Sequence, residues 1–172
     1  IYDIVLAAEK ASIDMVRPGE RYLNIHLESA RIIADGMSQL GLMNGKAEDL
    51  VACGAHTLFF PHGVGHLIGI DVHDMEGYGE VVAYPKGRKR SKDFGTAFLR
   101  NDIDLATGMC VTIEPGIYFV PAILHDATFR TQHKSNVNFA KVERFLTMNG
   151  KRGFGGVRIE DDVLCKKSGP DV

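Results

Sequence analysis

Residues 60–74 have the sequence FPHGVGHLIGIDVHD, in which three histidines and two aspartates are separated by small and apolar residues. The proline and the glycines argue against a helix here. In extended backbone the side chains alternate, so His62 and His66 would point to the same side. His73 lies at an odd offset from His66, and it can share their pocket only if the chain bends near residues 69–71. Taken alone, the cluster also fits ordinary core and surface histidines.

The composition favours one globular domain, or a large piece of one. The chain has 172 residues, 45% of them hydrophobic, and a net charge of −2. This balance gives no long-range attraction to nucleic acid or to a membrane, and no stretch approaches the ~20 apolar residues of a spanning helix. The cysteines are few and far apart, which predicts reduced thiols in a cytoplasmic protein. The basic run 86–92 predicts a solvated loop, with a nuclear-import or nucleic-acid patch as the alternative.

Periodicity and chain breakers predict mixed secondary structure in blocks, hence an α+β fold. The predicted helices cover residues 2–16, 21–40, 46–53 and 121–146, and the predicted strands cover 58–70, 109–114 and 156–164. The first helix begins at Ile1 in mid-pattern, without a capping residue. We therefore expect that the chain was cut from a longer one.

Two glutamates, Glu114 and Glu160, lie among aliphatic residues of the predicted strands. A buried carboxylate needs a cation, a metal or a proton, since leaving it unpaired costs several kcal/mol. Two glutamates and one imidazole would suit manganese, cobalt or zinc. Arg158 offers an alternative, because pairing with a glutamate would remove the need for a metal.

The order PHGVGHLIGIDVHD, VTIEPGIY and GVRIEDD resembles the catalytic domain of the pita-bread metallopeptidases, the group of methionine aminopeptidase, aminopeptidase P and prolidase. The longer match, which includes GIDVHD and RGFGGVRIEDD, is most similar to the prolidase branch. The resemblance covers essentially the whole chain. It implies a curved antiparallel sheet with helices on its outer face. Residues 1–172 would be the C-terminal part of a single catalytic domain, incomplete at its N-terminal side.

The resemblance also implies a role for each residue of the motifs. His66 would be the one metal-binding histidine. Glu114 would bind one metal and shuttle protons, and Glu160 would bridge two metals. His73 would hydrogen-bond the substrate around the scissile bond, and His62 would support the pocket.

In the prolidase branch an arginine shortly before the VTIEPG strand binds the carboxylate of the product proline, and Arg100 lies at that position. A guanidinium fork suits a terminal carboxylate. Arg158 would lie next to the bridging glutamate. The implied reaction is hydrolysis of Xaa-Pro dipeptides by water activated between two divalent ions, with manganese favoured over cobalt and zinc.

The sequence departs from the family in one respect. Two metal-binding aspartates and a pocket histidine of the family precede the helix that begins IYDIVL, and Asp3 and Asp14 do not match them. We therefore expect one ion or none in this chain alone, little activity, and an exposed sheet edge that pairs with the missing half or another copy. The full-length protein would be a homodimer. Two alternatives stay open: removal of the residue before proline from longer peptides, as in aminopeptidase P, and a binding module without chemistry.

Overall fold

The computed structural model describes residues 1–74 and 78–172. Its helices are α1 (Tyr2–Asp14), α2 (Tyr22–Gln39), α3 (Ala47–Ala52), α4 (Glu80–Ala83), α5 (Pro121–Leu124), α6 (Ala127–Gln132) and α7 (Phe139–Lys151). Its strands are β1 (Leu67–Ile68), β2 (Cys110–Ile113), β3 (Gly116–Tyr118), β4 (Gly156–Arg158), β5 (Asp161–Lys166) and β6 (Gly169–Asp171). Short 3₁₀ helices cover Ala55–Leu58 and Thr96–Phe98.

The three early helices are confirmed, each within two residues of its predicted ends. The predicted helix over 121–146 is wrong as a single element, because three helices occupy this part of the chain. Two side-chain caps explain the breaks. The Asp126 carboxylate accepts from the first amides of α6, and the Asn138 side chain accepts from the Lys141 amide in α7. Such caps start new helices.

The predicted strand over 58–70 is also wrong for most of its length. The amides of Phe59 and Phe60 donate to the His56 carbonyl, which tightens the chain into a helical turn, and only β1 is extended. Glu114 directly follows β2, and Glu160 lies between β4 and β5. Both glutamates therefore lie at strand ends rather than in mid-strand.

The strands form two antiparallel sheets, which confirms the α+β class. The larger has the order β1-β2-β5-β6, and the smaller pairs β3 with β4. Val111 faces Leu67 on one side and Val163 on the other, so apolar residues meet in the centre of the larger sheet. β3 and β4 continue the chains of β2 and β5 past Glu114 and Glu160. Both glutamates thus lie at the junction of the two sheets.

Helices α1 and α2 pack closely against each other and form a layer behind the sheet. Gly36 makes this approach possible, since a Cβ there would lie 2.6 Å from the Ile4 side chain. The apolar faces of the pair are fully buried at Val5, Ile25 and Ile33, among others. Burying such aliphatic side chains contributes about 1.5–3 kcal/mol each. This layer supports β2, which leads directly into Glu114.

All three cysteines are free thiols, as predicted. Among the described residues, no helix is long and apolar enough to cross a membrane.

Candidate metal centre

The backbone around His66 is fixed by hydrogen bonds to β2. The Thr112 amide donates to the His66 carbonyl over 2.8 Å, and the Glu114 amide donates to the Val64 carbonyl over 2.7 Å. Between these bonds, Gly65 touches β2 directly. A Cβ there would collide with Thr112 and lie 2.5 Å from the Tyr22 hydroxyl oxygen. Glycine is therefore required for His66 to lie beside Glu114.

His66, Glu114 and Glu160 converge, with one ligand atom of each within 4.8 Å of the others. The Nδ1–H of His66 donates to the Leu67 carbonyl over 3.0 Å, so Nε2 presents its lone pair to the site. That Nε2 lies 3.4 Å from Glu114 Oε1. Acceptor atoms that face one another in this way need a proton or a cation between them, and an imidazole with two carboxylates is a donor set for a divalent metal. The residues present therefore fit a metal ion.

The Thr112 hydroxyl links two of these residues. It accepts from the backbone amide of His66 over 2.9 Å and donates to Glu114 Oε1 over 3.3 Å. Thr112 is almost fully buried. The side chain of Glu114 and the backbone of His66 are thus held by one hydroxyl group.

The outer oxygen of Glu114 contacts Arg158. Nη1 of Arg158 donates to Glu114 Oε2 over 2.7 Å, and Nε donates to the Tyr118 hydroxyl over 2.6 Å. The predicted pairing of Arg158 with a glutamate is therefore present. The pairing involves Oε2 of Glu114, while Oε1 faces His66, so the ion pair and a metal do not exclude each other.

His62 ends this hydrogen-bonded chain. Its Nδ1–H donates to the Gly63 carbonyl over 2.7 Å, which leaves Nε2 to accept from the Tyr118 hydroxyl at 3.1 Å. Burial lowers the pKa of His62, and the positive charge of Arg158 adds to the lowering. Burial raises the pKa of Tyr118, so its hydroxyl keeps its proton. His62 is thus a neutral imidazole in the wall of the site.

The chain bends after β1 and places His73 beside His66, as expected from the sequence. The Asp74 amide donates to the Leu67 carbonyl over 3.0 Å, and the Gly69 amide donates to the Asp71 carbonyl over 3.2 Å, which closes a bend. The ring centroids of His73 and His66 are 4.4 Å apart, edge to face. His73 is exposed, and it borders a cavity rather than the core.

A cavity of about 890 Å³ joins these groups. All seven residues predicted for the site border it: His62, His66, His73, Arg100, Glu114, Arg158 and Glu160. Their proximity is thereby established, while their individual roles stay predictions. Glu160 is exposed, so the expectation that it is buried in a strand is wrong. It follows β4 at the mouth of the cavity, where water can solvate it.

Some polar residues at the site were not predicted. Thr112 and Tyr118 form hydrogen bonds to the predicted groups, and Arg90 borders the cavity. The sequence contained a signal for Thr112 and Tyr118. They share even-numbered positions with Glu114 in a nearly extended segment, and such side chains tend to face the same side. Arg90 carried no such signal, since its basic run suggested a solvated loop.

The helical layer behind the cavity, taken here as α1, α2 and the 3₁₀ helix Ala55–Leu58, holds ionisable groups of a different kind. His26, His56 and Glu9 are each at most 2% exposed. Within the described part of the chain, no hydrogen-bond partner is present for either ring nitrogen of the two histidines or for either Glu9 oxygen. Burial lowers the pKa of His26 to about 3 and that of His56 to about 4.

Glu9 has the opposite shift. Burial, and then the negative charge of Asp161, raise its pKa to about 8, with smaller contributions from Glu160 and Glu114. The Asp161 backbone amide offsets part of the rise, although it does not complete a hydrogen bond of normal geometry. Glu9 is therefore a protonated acid beneath the site. Asp3 and Asp14 are exposed on α1 and lie outside the metal cluster, as expected.

Known proteins with similar sequences include Xaa-Pro dipeptidases. The chain is 36% identical to human Xaa-Pro dipeptidase over 172 residues, which is 100% of this chain and 32% of that protein. It is 36% identical to the Xaa-Pro dipeptidase of Xanthomonas euvesicatoria over 165 residues, 96% of this chain and 35% of that protein. The chain thus spans about a third of the length of these relatives.

Solved structures of aminopeptidases have a similar fold. The aminopeptidase PepP of Pseudomonas aeruginosa superposes with a TM-score of 0.67 at 34% identity, over 100% of this chain and 30% of that one. A zinc-substituted aminopeptidase P of Escherichia coli in complex with product superposes with a TM-score of 0.66 at 32% identity, over 99% and 29%. The fold is therefore the pita-bread fold, of which this chain covers a part. The model of metallopeptidase family M24 matches residues 1–167, and the chain belongs to that family.

Proposed function

We propose that this chain is the C-terminal part of the catalytic domain of an Xaa-Pro dipeptidase. The observation that carries the proposal is the convergence of His66, Glu114 and Glu160 at the base of a cavity bordered by His73 and Arg100. The dipeptidases among the relatives support the substrate class.

The three residues would hold divalent ions, two in the complete centre, with manganese favoured and cobalt or zinc as alternatives. When bound, the ions supply a water of lowered pKa and polarise the scissile carbonyl. Because the chain spans about a third of its relatives, we propose that the remaining ligands come from a preceding segment. We also propose that the full-length protein is a cytoplasmic homodimer.

Each residue has a role that its surroundings support. Glu114 Oε1 faces the ligand cluster, where it can take a proton from water and deliver it to the leaving nitrogen of proline. Arg158 holds the other oxygen and so orients the carboxylate. His73 lies beside His66 at the cavity surface, in reach of a developing oxyanion. His62, neutral and tied to Tyr118, shapes the wall.

Arg100 would bind the carboxylate of the substrate proline. A dipeptide offers this carboxylate directly after the scissile bond, whereas a longer peptide does not. Arg100 and the metal ligands border the same cavity, which a dipeptide could span. A guanidinium at that wall would select substrates that end at proline.

A second candidate has support of its own. Solved structures with similar folds include aminopeptidases P, and a probable Xaa-Pro aminopeptidase of Pyrenophora tritici-repentis is 34% identical over 98% of this chain. Such an enzyme would accept peptides that extend beyond the proline.

The test is hydrolysis by the full-length protein that contains this chain, after chelation and reconstitution with manganese. We expect cleavage of Ala-Pro that is lost on chelation and restored by manganese, with Ala-Pro-Ala cleaved more slowly. Faster cleavage of Ala-Pro-Ala would favour the aminopeptidase. Binding of both peptides without cleavage at any metal loading would favour a binding module.

A further inference from the structure

Arg90 borders the cavity from within the basic run 86–92, and we infer that it is a positioning residue for Arg100. The inference rests on the proposed function, because it takes Arg100 as the group that binds the substrate carboxylate. In this view Arg90 does not bind substrate. It fixes the backbone of residues 97–100, which forms one wall of the cavity.

The hydrogen bonds of Arg90 exclude a direct role in binding. A guanidinium has five N–H donors. Nη1 donates to the carbonyls of Ala97, at 3.1 Å, and Leu99, at 2.6 Å. Nη2 donates to the Arg100 carbonyl over 3.5 Å, and Nε and Nη2 each lie 2.8 Å from Glu80 Oε1. Four donors thus form hydrogen bonds within the protein, and Nη2 also lies within ion-pair distance of Glu80.

Further contacts hold the same wall. The Arg90 guanidinium lies 4.8 Å from the ring centroid of Tyr84, and the Tyr84 hydroxyl donates to the Leu99 carbonyl. Leu99 also packs on the loop that carries the pocket histidine, since a Cβ on Gly63 would lie 2.7 Å from its Cα. The wall therefore has little freedom to move inward, and Arg90 and Tyr84 fix it from outside.

This arrangement changes the interpretation of the basic run. Arg88, two residues earlier, donates to the Asp102 carbonyl and pairs with the Asp104 carboxylate, and it does not border the cavity. The two arginines are similar in sequence and in the kind of bonds they form, but only Arg90 is bonded to the segment that ends in Arg100. Arg88 is therefore a matched control.

The test uses the full-length protein with manganese and two substrates, Ala-Pro and Ala-Pro amide. In Arg90→Ala we expect kcat/KM for Ala-Pro to fall on the order of tenfold, mainly through KM, because a displaced Arg100 no longer reaches the carboxylate. Hydrolysis of the amide, which lacks that carboxylate, should change less than about twofold. Arg90→Lys should lie between, and Arg88→Ala should match the unmodified protein.

Equal losses on both substrates, or no loss, would overturn the inference. Hydrogen exchange at the amides of residues 97–99 provides a second readout that needs no activity. These amides should exchange at least about tenfold faster in Arg90→Ala but not in Arg88→Ala. Unchanged exchange would refute the role of Arg90 even if the protein is not a peptidase. These amides could exchange faster in Arg90→Ala while the unmodified protein shows no preference for Ala-Pro over the amide. In that case Arg90 fixes the backbone of residues 97–100, but Arg100 does not bind the substrate carboxylate, and the inference is overturned in that part.

Discussion

The cavity and the helical layer behind it both contain buried ionisable residues, but their surroundings differ. At the cavity, His62 has a hydrogen-bond partner for each ring nitrogen, and His66 donates from Nδ1 to the Leu67 carbonyl while its Nε2 faces Glu114. His26 and His56 in the helical layer are as deeply buried as His66, yet among the described residues their nitrogens have no partner. Burial alone therefore does not mark a functional histidine. The hydrogen bond that leaves one nitrogen facing other acceptors does.

The largest difference is expected when the same substitution is made in each region. His66→Gln should weaken manganese binding by the full-length protein at least about 100-fold and abolish metal-dependent turnover, because a ligand is lost. His56→Gln should leave the affinity within a factor of about two. Calorimetric titration after chelation measures both. Equal affinities in the two variants would remove the distinction between the regions.

The next largest effect concerns the helical layer and the free energy of unfolding at acid pH. His26 has a pKa of about 3 in the folded chain and 6.5 as its ordinary value, so below pH 6.5 the unfolded state binds the extra proton. Stability is therefore lost as the pH falls, by roughly 1.4 kcal/mol per pH unit. His26→Leu should lose about 2 kcal/mol less than the unmodified chain between pH 6.5 and pH 5 in urea unfolding.

The exposed His125 provides the control, because its imidazole lies at the surface rather than in the helical layer. A change confined to His26→Leu and absent from His125→Leu would assign the acid sensitivity to the buried ring. Parallel curves for His26→Leu and the unmodified chain would show that His26 is not the source of acid sensitivity.

The smallest of these effects concerns Glu9, whose pKa of about 8 exceeds its ordinary value of 4.5. Between these pH values the folded state binds more protons, so this contribution to stability is lost as the pH rises. In the metal-free chain, the stability of Glu9→Gln relative to the unmodified chain should rise by about 1 kcal/mol between pH 4.5 and pH 5.5. Thermal unfolding at both pH values tests this, with the exposed Glu48→Gln as control; a gain that does not vary with pH would contradict it.

Much of the site could be predicted because its residues occur in three short motifs. The bend that returns His73 followed from its odd offset, and the cavity followed from the family resemblance. The exposure of Glu160 could not be predicted, since it depends on β4 ending before it. The position of Arg90 could not be predicted either. It donates to backbone carbonyls seven to ten residues away, and a backbone carbonyl is present whatever the residue type.

The helices show a similar limit. Periodicity located α1 and α2 well because their buried faces repeat along the chain. It joined α5, α6 and α7 into one element because the caps at Asp126 and Asn138 are single residues inside a weak pattern. Local breaks of this kind are decided by individual hydrogen bonds and not by composition.

The three candidate ligands differ in exposure, and this sets the order in which an ion would be gained or lost. His66 is 5% and Glu114 is 7% exposed, whereas Glu160 is an exposed residue. An entering ion would meet the exposed carboxylate of Glu160 first and the two buried ligands after it. A departing ion would leave by the same carboxylate, where a chelator could intercept it. The exchange kinetics of the centre would thus be controlled at Glu160, and its equilibrium affinity at the two buried ligands.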